Sequence, residues 1–313
     1  MEDDNSTEQN PAAQAGIFTM ISNDVVIGLD DSANSHHALS WACKQRPTRV
    51  HAVNAVPPAT ELWFPARQVD SRLTLDIRRQ NLDQLCNSVR LTSDIRINGH
   101  LSDQEPARAL VERSHAEGGC PIVVGHKGHS SPHRHHAGHI TAELLRNSDV
   151  PVVVVPMVAS LEPLNGTIAL CAHGATTIDH PDVAWAIELA TAHDLNLHLV
   201  DVVEPIPVGL GADYGYGTVT IPTADQLLAS RSESLAALSG QIEASHPSLT
   251  VRRSVESGHP SIQLARVIND LAPSLVVIGN HHHSKLLSFL TSAVTTHLLT
   301  SLACPIAAIP IPK

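Results

Sequence analysis

Two short stretches of the chain carry residues suited to holding a phosphorylated nucleoside. The first is Gly125-His126-Lys127-Gly128, then nine residues, then Gly138-His139-Ile140-Thr141. Glycines at this spacing let the backbone approach a polyphosphate closely, and the N–H groups that open a helix bind its negative charge. Lys127 and Arg134 add positive charge to a protein whose formal net charge is −11. A surface loop with chance glycines is the alternative. The place of the stretch, between a buried apolar run and a helical pattern, favours phosphate. The second stretch is Gly28-Leu29-Asp30-Asp31-Ser32. A carboxylate there can accept hydrogen bonds from a ribose hydroxyl or an adenine amine, although from this stretch alone an Asp or Ser that merely caps the next helix is the favoured reading.

Histidines crowd the first of these stretches: His126, His129, His133, His135, His136 and His139. His281, His282 and His283 take the corresponding place in the second half of the chain. Three roles fit them. They can face phosphate or solvent, they can strengthen anion binding as they take up protons below an imidazole pKa of about 6.5, or they can bind a transition metal. No cysteine or repeated carboxylate joins the loop, so no metal ligands are assigned. No nucleophile, base and acid form a set, so no catalytic residues are assigned either.

The elements that must position these residues repeat along the chain. PIVVGHKG (121–128) matches SLVVIGNHH (274–282), and VPVVVVP (150–156) matches CPIAAIP (304–310). Gly125 pairs with Gly279, Pro151 with Pro305 and Pro106 with Pro260, each at a separation of 154 residues. VVIGLDDS (25–32) matches IALCAHGA (168–175), and VHAVNAVPP (50–58) matches LHLVDVVEP (197–205). Segments in the same order mark a tandem duplication, with the boundary near 157–165. Short continuous apolar runs such as VVIGL and PIVVG suit strands of a parallel sheet buried on both faces. Helical spacing near 35–45, 70–90, 104–117 and 138–147 supplies the crossovers that parallel strands need. Each half therefore reads as a doubly wound parallel sheet of about five strands, with its ligand site beyond the carboxyl ends of the strands.

With these motifs the chain resembles the universal stress protein family in its tandem two-domain, actinobacterial form. The resemblance covers nearly all of 21–313. It rests on Gly28-Leu29-Asp30-Asp31-Ser32, on the glycines at 125, 128 and 138, and on ITAELLRNSDVPVVVVP. It implies a Rossmann-like fold of the adenine nucleotide alpha hydrolase type, with one domain over 21–157 and another over 165–313. It also implies ATP, with Mg, as the ligand, and a regulatory role in stress response or dormancy, with at most weak hydrolysis. Asp30 would contact the nucleoside, and the strand-two segment Val53 to Ala55 would hold adenine. The three glycines would cradle the phosphates with the segment from His139 to Thr141. Two positions depart from the family pattern: Asp31 stands where glycine is usual, and His139 stands where a phosphate-binding hydroxyl is expected. The resemblance also implies pairing through the last strands, which in a tandem chain places a pseudo-twofold between the halves. A homodimer of whole chains is a further assembly it allows.

The second half departs further. His173 replaces the strand-one aspartate, and His282 and Ser292 replace the second and third glycines, where a side chain obstructs approach to phosphate. This half is expected to keep the fold and to lack the ordinary nucleotide site. Its segment 205–222, rich in Gly and Tyr, reads as a loop or a partner contact. Two other functions compete with an ATP-binding regulator. One is an interaction or scaffold module without nucleotide, and the other is a metal-assisted phosphohydrolase built on the histidines.

Composition narrows the classes. An acidic chain is poorly suited to nucleic acid or an anionic membrane, which repel it, and no apolar run of spanning length occurs. Residues 1–20 read as a disordered acidic tail without the features of a secretory signal. The five cysteines form no C-x-x-C pair. They are expected to be reduced, mostly buried thiols of a cytoplasmic protein. Aromatics make up only 3% of residues, so the core must be aliphatic.

Overall fold

Valine and isoleucine runs too short for helices form the strands, and the amphipathic stretches between them form the crossovers. The computed structural model describes residues 24–55, 71–127, 138–172, 177–204, 223–281 and 292–312. The acidic tail and the segment 205–222 lie outside them. In the first half, β1 (Val25–Leu29), β2 (Arg49–Ala55), β3 (Arg96–Ser102), β4 (Ile122–Gly125) and β5 (Val152–Val155) alternate with α1 (Ala33–Lys44), α2 (Ser71–Thr92), α3 (Pro106–Ala116) and α4 (His139–Asn147). The second half repeats the series as β6 (Thr167–Cys171), β7 (Asn196–Val203), β8 (Val251–Ser257), β9 (Leu275–His281) and β10 (Ile306–Ile311). Its helices are α5 (Pro181–Ala192), α6 (Ala224–Ser245), α7 (Pro260–Leu271) and α8 (Ser292–Ser301).

The two five-stranded units are not separate sheets. They join in one ten-stranded sheet of order β3-β2-β1-β4-β5-β10-β9-β6-β7-β8. All pairs within a half are parallel. The single seam, β5 on β10, is antiparallel, with Val153 opposite Ala307. The antiparallel seam and the mirrored strand order give the pseudo-twofold between halves.

Each face of the sheet carries one aliphatic core that crosses the seam. Ile27, Trp41 and Leu82 of the first half share a cluster with Leu170, Trp185 and Leu238 of the second. On the other face, Val26, Leu110 and Leu144 join Val276, Leu264 and Leu298. The chain between the halves is docked as well. Gln45 Oε1 accepts from the Leu164 N–H at 2.8 Å, and a His37 ring nitrogen lies 3.1 Å from the Ala159 carbonyl.

Local chemistry sets the helix starts. The Ser32 side chain caps α1 by accepting from the Ser35 N–H at 3.1 Å. Pro106 and Pro260, paired in the sequence repeat, both occupy the first turn of their helices, where a missing N–H costs nothing. Thr223 and Gln226 form a reciprocal capping box on α6. All five cysteines are free thiols, and burial pushes Cys43, Cys120 and Cys304 up to about 11 and Cys171 up to about 12. Raised pKa values keep these four protonated at neutral pH.

Candidate functional site

The carboxyl ends of β1, β2 and β4 open onto a cavity of about 500 Å³. Gly28, Leu29, Asp30, Ala55, Gly125, Gly138, His139, Ile140 and Thr141 all line it, together with Ser35, Val53 and Lys127. The two sequence motifs, nearly a hundred residues apart, therefore meet at one place. Gly128, His129, His133, Arg134, His135 and His136 lie outside the described residues. The ends of their segment are drawn together by a hydrogen bond from the Gly138 N–H to the His126 carbonyl at 2.9 Å.

Helix α4 begins at the cavity wall. Its N-cap is Gly138, with no side-chain hydrogen bond to the first turn. The opening N–H groups of an α-helix lack intrahelical partners, so they suit an anion. Lys127 and His139 line the same wall, and the His139 ring is 80% exposed, 3.8 Å from Glu143. Thr141 lines the cavity, with its hydroxyl engaged by the backbone. It is buried, and its Oγ1 donates to the Gly125 carbonyl at 3.0 Å.

Three residues behave differently from the sequence expectation. Gly125 serves packing: a Cβ there would come within 2.8 Å of the Asn34 carbonyl group, where α1 crosses the end of β4. His126 does not line the cavity. It is 9% exposed, its Nε2 has no hydrogen-bond partner, and burial, with Lys127 beside it, pushes its pKa down to about 4. Among the described residues, His139 is the histidine that lines the cavity. Asp30 also shapes its own loop: its Oδ1 accepts from the Ser32 N–H at 3.1 Å, an Asx turn that leads into the α1 cap.

Asp31 accounts for one family departure. Its φ is +62°, in the left-handed region that glycine enters freely and Asp tolerates better than most residues. Asp31→Gly is expected to keep stability within about 0.5 kcal/mol, because relief of backbone strain offsets the added freedom of the unfolded chain. Asp31→Val is expected to lose about 2 kcal/mol, because a β-branched residue resists positive φ. Urea unfolding of both variants checks this, and equal stability of the two would contradict it.

The sequence reading missed a set of polar residues on the inner strand positions. Asn54 is buried on β2 and accepts from Arg78 at 3.2 Å. At the matching position of β7 stands Asp201, also buried, 3.9 Å from Arg231. Arg78 and Arg231 are each the eighth residue of their helices. Likewise Asn34 abuts Gly125, whereas Asp182 abuts Gly279, with Oδ2 2.7 Å from where a Cβ would be. The second half thus has two buried carboxylates where the first has two neutral amides. His180 donates to Asp182, which raises the imidazole pKa. His173, His282 and His283 lie outside the described residues, as do the side chains of His281 and Ser292. The pairing of Asn54 with Asp201 was visible once VHAVNA and LHLVDV were aligned.

Among the described residues no helix is long and apolar enough to cross a membrane. A family model described as the universal stress protein family matches residues 22–156 and again 170–310. The fold is similar to that of a universal stress protein from Archaeoglobus fulgidus DSM 4304, at 15% identity and a TM-score of 0.65, over 94% of this chain and 98% of that one. It is also similar to a protein of Pseudomonas aeruginosa UCBPP-PA14 assigned to the same family, at 15% identity and a TM-score of 0.57, over 93% and 94% of the two chains. A search of curated protein sequences finds no match.

Proposed function

The chain belongs to the universal stress protein family, and from that membership we propose that it is an ATP-binding regulator whose first half holds the nucleotide. The observation that carries this reading is the cavity at the ends of β1, β2 and β4, where Asp30 and Ala55 stand across from the uncapped start of α4. Asp30 serves the ribose or adenine, the strand end from Val53 to Ala55 flanks the base, and the α4 N–H groups with Lys127 and His139 meet the phosphates. Mg accompanies ATP through phosphate oxygens and water, as that ion prefers.

The site binds rather than turns over. Among the described residues, both hydroxyls on its wall use their protons on the backbone: Ser35 Oγ donates to the Ser32 carbonyl at 3.0 Å, and Thr141 donates to Gly125. Neither is poised as a nucleophile beside a base. In the second half, the buried Asp182 and Asp201 oppose an anionic ligand through charge.

Calorimetry of the full chain with Mg-ATP is expected to give one site per chain. Asp30→Ala should weaken it by about 1–3 kcal/mol, the cost of losing a polar contact. Absence of binding, or two equal sites, would overturn the reading. Both halves must be kept in this test, because cutting the chain near 160 strips the partner from the β5 edge and divides both cores.

A further inference from the structure

At the opposite edge of the first-half sheet, away from the cavity, a second group of polar residues gathers. Asp24 precedes β1, His51 lies on β2 and Glu117 ends α3. One candidate ligand atom from each lies within 4.8 Å of the other two. Asp24 Oδ1 accepts from Arg49 Nε at 2.9 Å, and its Oδ2 lies 3.9 Å from His51 Nε2. Glu117 Oε1 lies 3.4 Å from His51 Nδ1 and 3.3 Å from an Arg113 guanidinium nitrogen. His51 is only 2% exposed, and its Nε2, aimed at Asp24, has no hydrogen-bond partner. A buried polar atom without a partner is costly and calls for an explanation.

We propose that Asp24, His51 and Glu117 form a binding site for a divalent transition cation such as Zn²⁺, with His51 Nε2 as its nitrogen ligand. Imidazole with two carboxylates is a donor set that such ions accept. Ligands at about 2.1 Å from a tetrahedral zinc are about 3.4 Å apart. Asp24 Oδ2, 3.9 Å from Nε2, needs to close by about half an ångström, and Glu117, whose Oε1 lies beside Nδ1, needs to turn toward Nε2 to join it. Charge balances on binding. The two carboxylates are now paired with Arg49 and Arg113, whose side chains are 45% and 33% exposed and can turn to water. A divalent ion replaces their two positive charges with its own two. His100 holds the ring in place from the other side, with its Nε2 3.3 Å from His51 Nδ1 and the two rings stacked at 5.5 Å. Such outer contacts orient metal-bound histidines.

The second half lacks the set. His198 matches His51 and contacts Ser254 at 2.9 Å, but Thr167 and Leu271 stand where Asp24 and Glu117 stand in the first half. One such site per chain follows. Equilibrium dialysis of the full chain against Zn²⁺ tests it, with the other histidines contributing equally to all variants. Wild type should hold one equivalent more than His51→Phe. Arg49→Met with Arg113→Met should tighten that equivalent about tenfold, by removing competing charges within contact range. Equal zinc stoichiometry in wild type and folded His51→Phe overturns the proposal. If His51→Phe does not fold by circular dichroism, the arginine variant decides: tighter zinc binding supports the site, and unchanged binding overturns it.

Discussion

Gly138→Val is expected to leave the protein folded and to weaken ATP binding by roughly a hundredfold, or about 2.8 kcal/mol. Gly138 has φ −58° and ψ 151°, an extended conformation that valine adopts readily, and it makes no side-chain cap that could be lost. The added isopropyl group stands on the cavity wall at the start of α4, where phosphate must approach the backbone. Gly125→Ala gives the opposite pattern. Its Cβ would meet the Asn34 backbone at 2.8 Å, and backbone at a helix start cannot turn aside like a side chain. The loss of stability should be about 3 kcal/mol. Calorimetry with Mg-ATP and urea unfolding, run on both variants, separate the two roles. If Gly138→Val binds ATP normally, the phosphate-facing start of α4 is wrong. If Gly125→Ala is as stable as wild type, the packing role of Gly125 is wrong.

The different surroundings of these glycines show which features the sequence could carry. Periodicity and apolar runs located the helices of the first half to within a few residues, because local burial on one or two faces dictates them. The internal repeat revealed the duplication, and the ends of its strands placed Asp30 and the glycine loop on one edge of a sheet. Spacing alone could not tell a glycine at an open cavity wall from one that admits a neighbouring helix. Gly125 and Gly138 belong to one motif, yet only the path of α1 makes Asn34 the neighbour of Gly125. His126 escaped for the same reason. As one of six histidines in a polar stretch it read as facing phosphate or solvent, but its backbone bonds to Val155 at the end of β5 and its ring is buried. The cluster of Asp24, His51 and Glu117 draws on three elements far apart in sequence and forms no spacing motif at all.

Buried histidines are also expected to make the fold sensitive to acid, and His126, held furthest below the ordinary imidazole range, should contribute most. Its pKa is about 4 in the folded protein and about 6.5 in an unfolded chain. Above pH 6.5 the ring is neutral in both states and pH has no effect through it. Below that value the unfolded chain takes up a proton that the folded protein refuses, so stability falls as pH drops, until the folded form titrates near 4. The full loss is on the order of 3 kcal/mol, from about 2.5 pKa units at 1.36 kcal/mol each. Burial lowers His51, His100, His193 and His198 in the same direction, so they add to the slope. His180 works against it. Its pKa is raised by Asp182, so its stabilisation is complete below the unfolded value and is lost as pH rises through the folded one. Urea unfolding of wild type between pH 7.5 and pH 4.5 should therefore show a steep decline below about pH 6.5. His126→Phe, which keeps an aromatic ring without a titrating nitrogen, should flatten that decline measurably while leaving stability at pH 7.5 nearly unchanged. Parallel stability–pH curves for the two proteins would show that His126 titrates normally and is not held neutral by burial. The same experiment bounds the range in which ATP binding can be compared across pH, because binding at the cavity must be read where the chain is still folded.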